Sequence, residues 1–143
     1  YQVQTFVPYN SFVKSAQCLD YRRLGKQRVE TLQILRSLTT PGYGWSSHPA
    51  TKMWSANLNG LCAYGLVICE EWINRGYKDT CTQKMLDIIE PDWSDYPQWW
   101  GDESVHGSHR SNLLRKMPEY YNQFGWNDDP TNAYVWPVPA LRQ

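Results

Sequence analysis

Residues 19–30 of this chain read Leu-Asp-Tyr-Arg-Arg-Leu-Gly-Lys-Gln-Arg-Val-Glu. Their spacing predicts a helix, because Arg22, Lys26 and Glu30 recur every fourth residue and therefore share one face. The opposite face carries an apolar stripe that would meet a core, formed by Leu24, Val29, Leu32 and Leu35. One carboxylate among several cations suits an enzyme that acts on nucleic acid, because cations hold phosphates while the acid moves protons at the sugar. The alternative is a solvated helix face with ordinary ion pairs between residues four apart.

Length and composition narrow the class of protein. The 143 residues fit a single domain, 1–143, that is large enough to bury a core. The sequence has no apolar run long enough to span a bilayer and no signal-peptide pattern, so we expect a cytoplasmic protein that does not bind membranes. Its four cysteines form no C-x-x-C pair, and the spacing of Cys62 and Cys69 predicts buried thiols rather than a disulfide framework.

The charge is unevenly distributed along the chain, although the net charge is zero. Residues 14–36 carry six cations against two acids, whereas residues 70–103 carry nine acids against three cations. A basic face can bind phosphates on a neutral protein, because the local field acts on the ligand. The 8 tryptophans and 10 tyrosines either fill a core or stack on bases, and burial is the expected role of the C-terminal rings.

The hydrophobic periodicity predicts an all-α domain with three main helices, long loops and an aromatic C-terminal segment. An extended lead-in at 1–14 precedes the first helix, and the helices are expected at about 15–38, 47–75 and 108–117. Gly25 interrupts the first helix and marks a close approach of its backbone to a neighbour. The second helix carries an apolar stripe from Trp54 to Trp72 and ends at Gly76, a typical C-terminal glycine.

Three histidines are candidate site residues. His48 precedes Pro49 at the start of the second helix, where it could donate to a substrate oxygen or could cap the helix. His106 and His109 lie near the expected start of the third helix, whose dipole favours phosphate binding. This pair alone does not supply the three or four ligands of a zinc site, so we expect no metal.

Several short motifs follow one another in a characteristic order. They are Leu19-Asp20, Leu24, Glu30, Gly42-Tyr43, His48-Pro49, Arg75-Gly76-Tyr77-Lys78-Asp79-Thr80 and Pro118-Glu119-Tyr120-Tyr121-Asn122-Gln123-Phe124-Gly125-Trp126. In this order they resemble the pyrimidine-dimer DNA glycosylase family, typified by a bacteriophage enzyme that excises ultraviolet photoproducts. The resemblance covers about residues 4–136 and is strongest to a bacterial and phage branch that begins Gln-Thr-Phe-Val/Leu-Pro-Tyr.

The resemblance implies a compact helical monomer that acts on double-stranded DNA without a cofactor, in a bacterial or phage-infected cell. In that family an N-terminal α-amine attacks the sugar C1′, displaces the base and leaves a Schiff base, and β-elimination then nicks the strand. A glutamate of the first helix assists; it corresponds to Glu30, and the neighbouring arginine of the family to Arg28. An α-amine has a pKa of about 7.7–8.0, so a useful fraction is nucleophilic near neutral pH. Because Tyr1-Gln2 precede the family-like segment here, Lys26 is the alternative nucleophile.

The resulting hypothesis is a DNA glycosylase, with AP-lyase activity, that excises a damaged or modified pyrimidine after extruding the nucleotide. Its catalytic residues would be Glu30, Lys26 and His48. Its DNA contacts would come from Arg22, Arg23, Gln27, Arg28, His106, His109, Arg110, Arg115 and Lys116. One alternative is a non-catalytic nucleic-acid-binding domain of the same fold, and another is a helical interaction module whose aromatic tail binds protein.

Overall fold

The computed structural model describes residues 3–44 and 47–137, and these ranges contain seven α-helices and no β-strand. The helices are α1 (Phe12–Cys18), α2 (Tyr21–Thr39), α3 (Pro49–Lys52), α4 (Leu58–Asn74), α5 (Thr82–Leu86), α6 (Glu103–Lys116) and α7 (Pro118–Tyr121), followed by a 3₁₀ helix at Asn122–Phe124. The predicted all-α class is therefore confirmed, with α2, α4 and α6 as the three longest helices. Within the described ranges, none of these helices combines the length and the apolar character that a membrane span needs.

The first predicted helix is in fact two helices, separated at Leu19 and Asp20. Asp20 is extended, and its carboxylate accepts a hydrogen bond from the N–H of Arg23, which caps α2. The hydroxyl of Tyr121 makes two hydrogen bonds to Asp20. The hydroxyl oxygen accepts the N–H of Asp20 at 3.0 Å, and the hydroxyl donates to the Asp20 carboxylate. The predicted lead-in at 1–14 is also too long, because Ser11 caps α1 and this helix already begins at Phe12.

The other two long helices have boundaries that differ from the prediction. His48 caps only the single turn α3, and the long helix α4 starts at Leu58. The predicted end of this helix is confirmed, because Gly76 has a φ of +95° just beyond the last helical turn. Helix α6 begins earlier than predicted because the Asp102 carboxylate caps it by accepting the N–H of Ser104 at 3.0 Å.

Helices α2 and α4 pack against each other at the centre of the core. The predicted stripe of the second helix is confirmed within α4 by the burial of Leu61 and Ile68, whereas Trp54 is buried but lies before α4 begins. Helix α2 buries the predicted leucines, but the prediction for Val29 is wrong, because this side chain is exposed. Val29 lies five residues after Leu24, which turns it by about 140° away from the core face at 3.6 residues per turn.

The aromatic C-terminal segment packs onto this core, as the sequence predicted. Tyr121 is fully buried and stacks on Trp126 with ring centroids 5.7 Å apart. Phe124 also stacks on Trp126, at 5.3 Å, and the Trp126 N–H donates to the hydroxyl of Tyr9 at 2.8 Å. The tail therefore connects the start of the chain to α7 rather than presenting a free row of rings.

Candidate active site

Residues 3–8 form an extended segment that is buried although it belongs to no helix. Its backbone N–H and C=O groups need hydrogen-bond partners, because an unpaired buried group costs on the order of 1–3 kcal/mol. A β-sheet would normally supply them, but the described part of the chain contains no strand. Side chains of α2, α4 and α6 bind the segment instead, and they determine where its first residues lie.

Helices α2 and α4 hold the first half of this segment. The amide of Gln27 accepts the N–H of Phe6 at 2.9 Å and donates to the carbonyl of Gln4. The Oε1 atom of Glu30 accepts the N–H of Gln4 at 3.2 Å, and the hydroxyl of Tyr64 donates to the carbonyl of Phe6 at 2.7 Å. Gln27 is consequently buried, which does not agree with the DNA contact expected of it from the sequence.

Helix α6 holds the second half through its two histidines. The Nδ1 atom of His109 accepts the N–H of Val7 at 2.9 Å. His106 donates from Nδ1 to the carbonyl of Val7 at 2.7 Å and accepts the N–H of Gly101 on Nε2 at 3.0 Å. Each ring is neutral in this arrangement, because one of its nitrogens accepts a backbone N–H. Both histidines are buried, so the DNA contact expected of them does not agree with the structure.

The start of the segment lines a cavity of about 270 Å³ between α2 and the end of α6. The lining residues are Val3, Gln4, Phe6, Arg22, Arg23, Lys26, Glu30, Lys116 and Tyr134. Glu30 is 5% exposed and is the only acid among these described lining residues, which include four cations. The cavity thus brings together the carboxylate and the helix-face cations that the sequence placed on one side of the first helix.

The four cations differ in their surroundings. Arg22 and Lys26 are exposed and lie one turn apart on α2, whereas Arg23 forms an ion pair with Asp20 at 3.2 Å. Lys116 reaches the same cavity from the last turn of α6. Burial lowers the pKa of Lys116, and the charges of neighbouring cations, among them Arg23 and Lys26, lower it further. This amine therefore gives up its proton more readily than an ordinary lysine.

Three arginines that the sequence assigned to DNA are engaged elsewhere in the protein. Arg28 pairs with Asp79 at 2.7 Å, and both side chains are largely shielded from solvent. Arg110 pairs with two carboxylates and also donates to a carbonyl of the N-terminal segment. Arg115 donates to carbonyls of the loop at 130–132. None of the three guanidinium groups lines the cavity formed by the described residues, although Arg28 lines a groove beside it.

His48 lies outside the described lining of the cavity, and the catalytic role expected of it stays a prediction. Its Nδ1 atom accepts the N–H of Ala50 at 3.0 Å, which caps α3. Its ring contacts the edge of Trp136 at 5.7 Å between centroids, and burial lowers its pKa. The capping contact is one of the two roles that the sequence left open for this histidine.

Sequence reasoning missed the contribution of residues 3–8 and of Tyr134 to the site. The apolar and β-branched character of Val3, Thr5, Phe6 and Val7 was a signal for burial of the first residues. Tyr134 carried no such signal, because it lies in an aromatic tail whose rings all pack on the core. In the described part of the chain, no three His, Cys, Asp or Glu side chains cluster as metal ligands would.

Comparison with known proteins identifies the family of this chain. A profile of a family described as pyrimidine dimer DNA glycosylase matches residues 3–85, which include the N-terminal segment and α2 with Glu30. Comparisons with curated proteins and with solved structures gave no match. The profile covers more than half of the 143 residues, and the chain therefore belongs to the pyrimidine dimer DNA glycosylase family.

Proposed function

We propose that this protein removes a damaged or modified pyrimidine from double-stranded DNA and then cleaves the resulting abasic site as a lyase. The observation that carries this proposal is the buried carboxylate of Glu30 in a cavity lined by four cations. Cations hold backbone phosphates, and a carboxylate shielded from water is suited to proton transfer and to stabilising a cationic sugar. Family membership supports the glycosylase step.

In the proposed reaction the target nucleotide leaves the base stack and enters the cavity while Arg22 and Lys26 bind adjacent phosphates. An amine nitrogen attacks C1′, and the bond from C1′ to the base breaks with its electron pair leaving on the base, which takes up a proton. Glu30 stabilises the positive charge that develops on the sugar. The attacking nitrogen loses a proton, the C1′–O4′ bond breaks with its electron pair going to O4′, which takes up a proton, and a protonated imine remains at C1′. Glu30 then accepts a proton from C2′ of this imine, and the C3′–O bond breaks to release the 3′ phosphate.

The attacking amine comes from one of two sources. The resemblance to the family implies the N-terminal α-amine, and the position of Val3 and Gln4 in the cavity lining supports this source. The residues that precede Val3 in the sequence lie outside the described residues. The second source is a lysine of the cavity, either Lys26, as the sequence suggested, or Lys116, whose lowered pKa favours the nucleophilic form.

Borohydride should trap a covalent adduct between the protein and abasic duplex DNA, because it reduces the imine that the lyase step requires. Peptide mapping then identifies the amine as the N-terminus, Lys26 or Lys116. The variants Lys26→Ala and Lys116→Ala test the two lysines, and Lys84→Ala, which changes an exposed lysine of α5, is the matched control. Absence of any adduct while DNA is still bound would exclude the lyase step. Release of free base from lesion-bearing oligonucleotides then separates a monofunctional glycosylase from a binding domain.

Replacing Arg22 or Lys26 with alanine should weaken binding to DNA of any sequence by a similar factor. Each substitution removes one phosphate contact, so the slope of log K against log salt concentration should become shallower by roughly one unit. Binding isotherms at several salt concentrations measure this slope, with Lys84→Ala again as the control that should keep the wild-type value. Unchanged slopes in both cavity variants would show that the phosphates do not lie on this face of α2.

A further inference from the structure

A groove of about 390 Å³ adjoins the candidate active site on α2. Arg22 and Lys26 line both the cavity and the groove, so these two side chains stand between them. The remaining wall of the groove differs from that of the cavity, because it is largely apolar and includes Tyr21, Val29 and Trp72. No step of the proposed reaction uses this groove.

Three aromatic rings form a nearly parallel stack beside the groove. Trp72 and Tyr77 lie 4.1 Å apart between centroids at an angle of 21°, and Tyr77 and Tyr21 lie 6.4 Å apart at 18°. Gly25 lets Trp72 approach α2, since a Cβ atom at this position would come within 2.9 Å of the indole ring. Tyr21, at one end of the stack, is nevertheless 50% exposed, and Tyr77, in its middle, is 41% exposed, so both rings keep surface that a ligand can reach.

The charges around the stack are positive on the side of the groove. The guanidinium group of Arg28 lies 4.6 Å from the centroid of Trp72, and that of Arg22 lies 5.5 Å from the centroid of Tyr21. Because Arg28 is paired with Asp79 at 2.7 Å, the net positive charge at the groove comes from Arg22 and Lys26. Exposed rings bordered by cations match the chemistry of a nucleotide, whose base is flat and apolar and whose phosphate is anionic.

We propose that this groove binds an unpaired nucleobase of the DNA whose phosphates lie on Arg22 and Lys26. A phosphate held between the cavity and the groove would direct one nucleotide to Glu30 and a neighbouring base to Tyr21 and Tyr77. The binding is tolerant of sequence, because every base offers a π face to an aromatic ring. The inference rests on the proposed function for its ligand, DNA, but needs no chemical step.

Titration of a short single-stranded oligonucleotide that contains 2-aminopurine tests this proposal, since stacking on an aromatic ring quenches the fluorescence of this base. Tyr21→Ala and Tyr77→Ala should each lower the affinity by about tenfold and reduce the quenching. Their salt slopes should stay at the wild-type value, because neither variant removes a phosphate contact. Tyr21→Phe keeps the ring and should bind as the wild type does.

Trp93→Ala is the matched control, because Trp93 is 53% exposed and lies outside the groove. Wild-type affinity in both tyrosine variants would overturn the proposal and would leave the exposed rings to a protein partner. An equal loss in Trp93→Ala would overturn it as well, since the effect would then be a general one. Release of free base is measured separately, so a wild-type protein that stacks the probe but releases no base would contradict the glycosylase proposal alone.

Discussion

Replacing Glu30 with glutamine should lower the rate of base release by about 10²–10⁴-fold while leaving the fold and the DNA affinity close to those of the wild type. The amide of glutamine retains an oxygen that can accept the N–H of Gln4, so the N-terminal segment should keep its position. It cannot accept the C2′ proton or balance the charge of the sugar. Single-turnover release of free base from a lesion-bearing duplex, together with an independent measurement of affinity, tests this expectation.

Glu70→Gln provides the matched control, because it makes the same chemical change at an exposed position of α4 outside the cavity. This variant should release base at the wild-type rate. A thermal melt of Glu30→Gln shows whether the anchor of Gln4 has survived. A folded Glu30→Gln protein with the wild-type rate would contradict the assignment of this carboxylate to the reaction.

Local features of the helices could be predicted because they depend on neighbouring residues. The burial of Leu61 and Ile68 in the predicted stripe and the C-terminal glycine, Gly76, follow from spacing and from backbone conformation. The break before α2 could not be predicted in this way. It depends on Asp20, which the sequence presents inside a helical pattern, and on Tyr121, which lies 101 residues further along the chain.

Part of the candidate site could likewise be predicted from local spacing, and the rest depends on residues distant in the sequence. The spacing of Arg22, Lys26 and Glu30 placed these residues on one side of α2, and the structure brings them to one cavity. Gln27 lies beside them in the sequence but is covered by the N-terminal segment, a contact that no local pattern encodes. The two histidines of α6 were expected at its start because the helix was expected to begin at Ser108. With the helix starting at Glu103, they lie inside it and point to the core.

Acidification below about pH 6.5 should destabilise the folded protein through His109. Burial lowers the pKa of this ring from 6.5 to about 3 in the folded state, whereas the unfolded chain keeps the ordinary value. The contribution of the neutral ring to stability is therefore complete above pH 6.5 and is lost as the pH falls towards 3. Over that range the unfolded chain holds a proton that the folded chain does not, so the free energy of unfolding falls by about 1 kcal/mol per pH unit.

Urea denaturation at a series of pH values between 7 and 4, with wild-type protein and with His109→Asn, measures this effect. Asparagine keeps an acceptor near the position of Nδ1 for the N–H of Val7 but does not titrate, so the variant should be less stable at neutral pH and less sensitive to acid. His48→Asn is the comparison, because this half-buried ring caps α3 and its pKa is also lowered by burial, so this variant should lose less of the acid sensitivity than His109→Asn does. Equal pH dependence in wild type and His109→Asn would show that the histidine anchor of Val7 is not what acid disrupts.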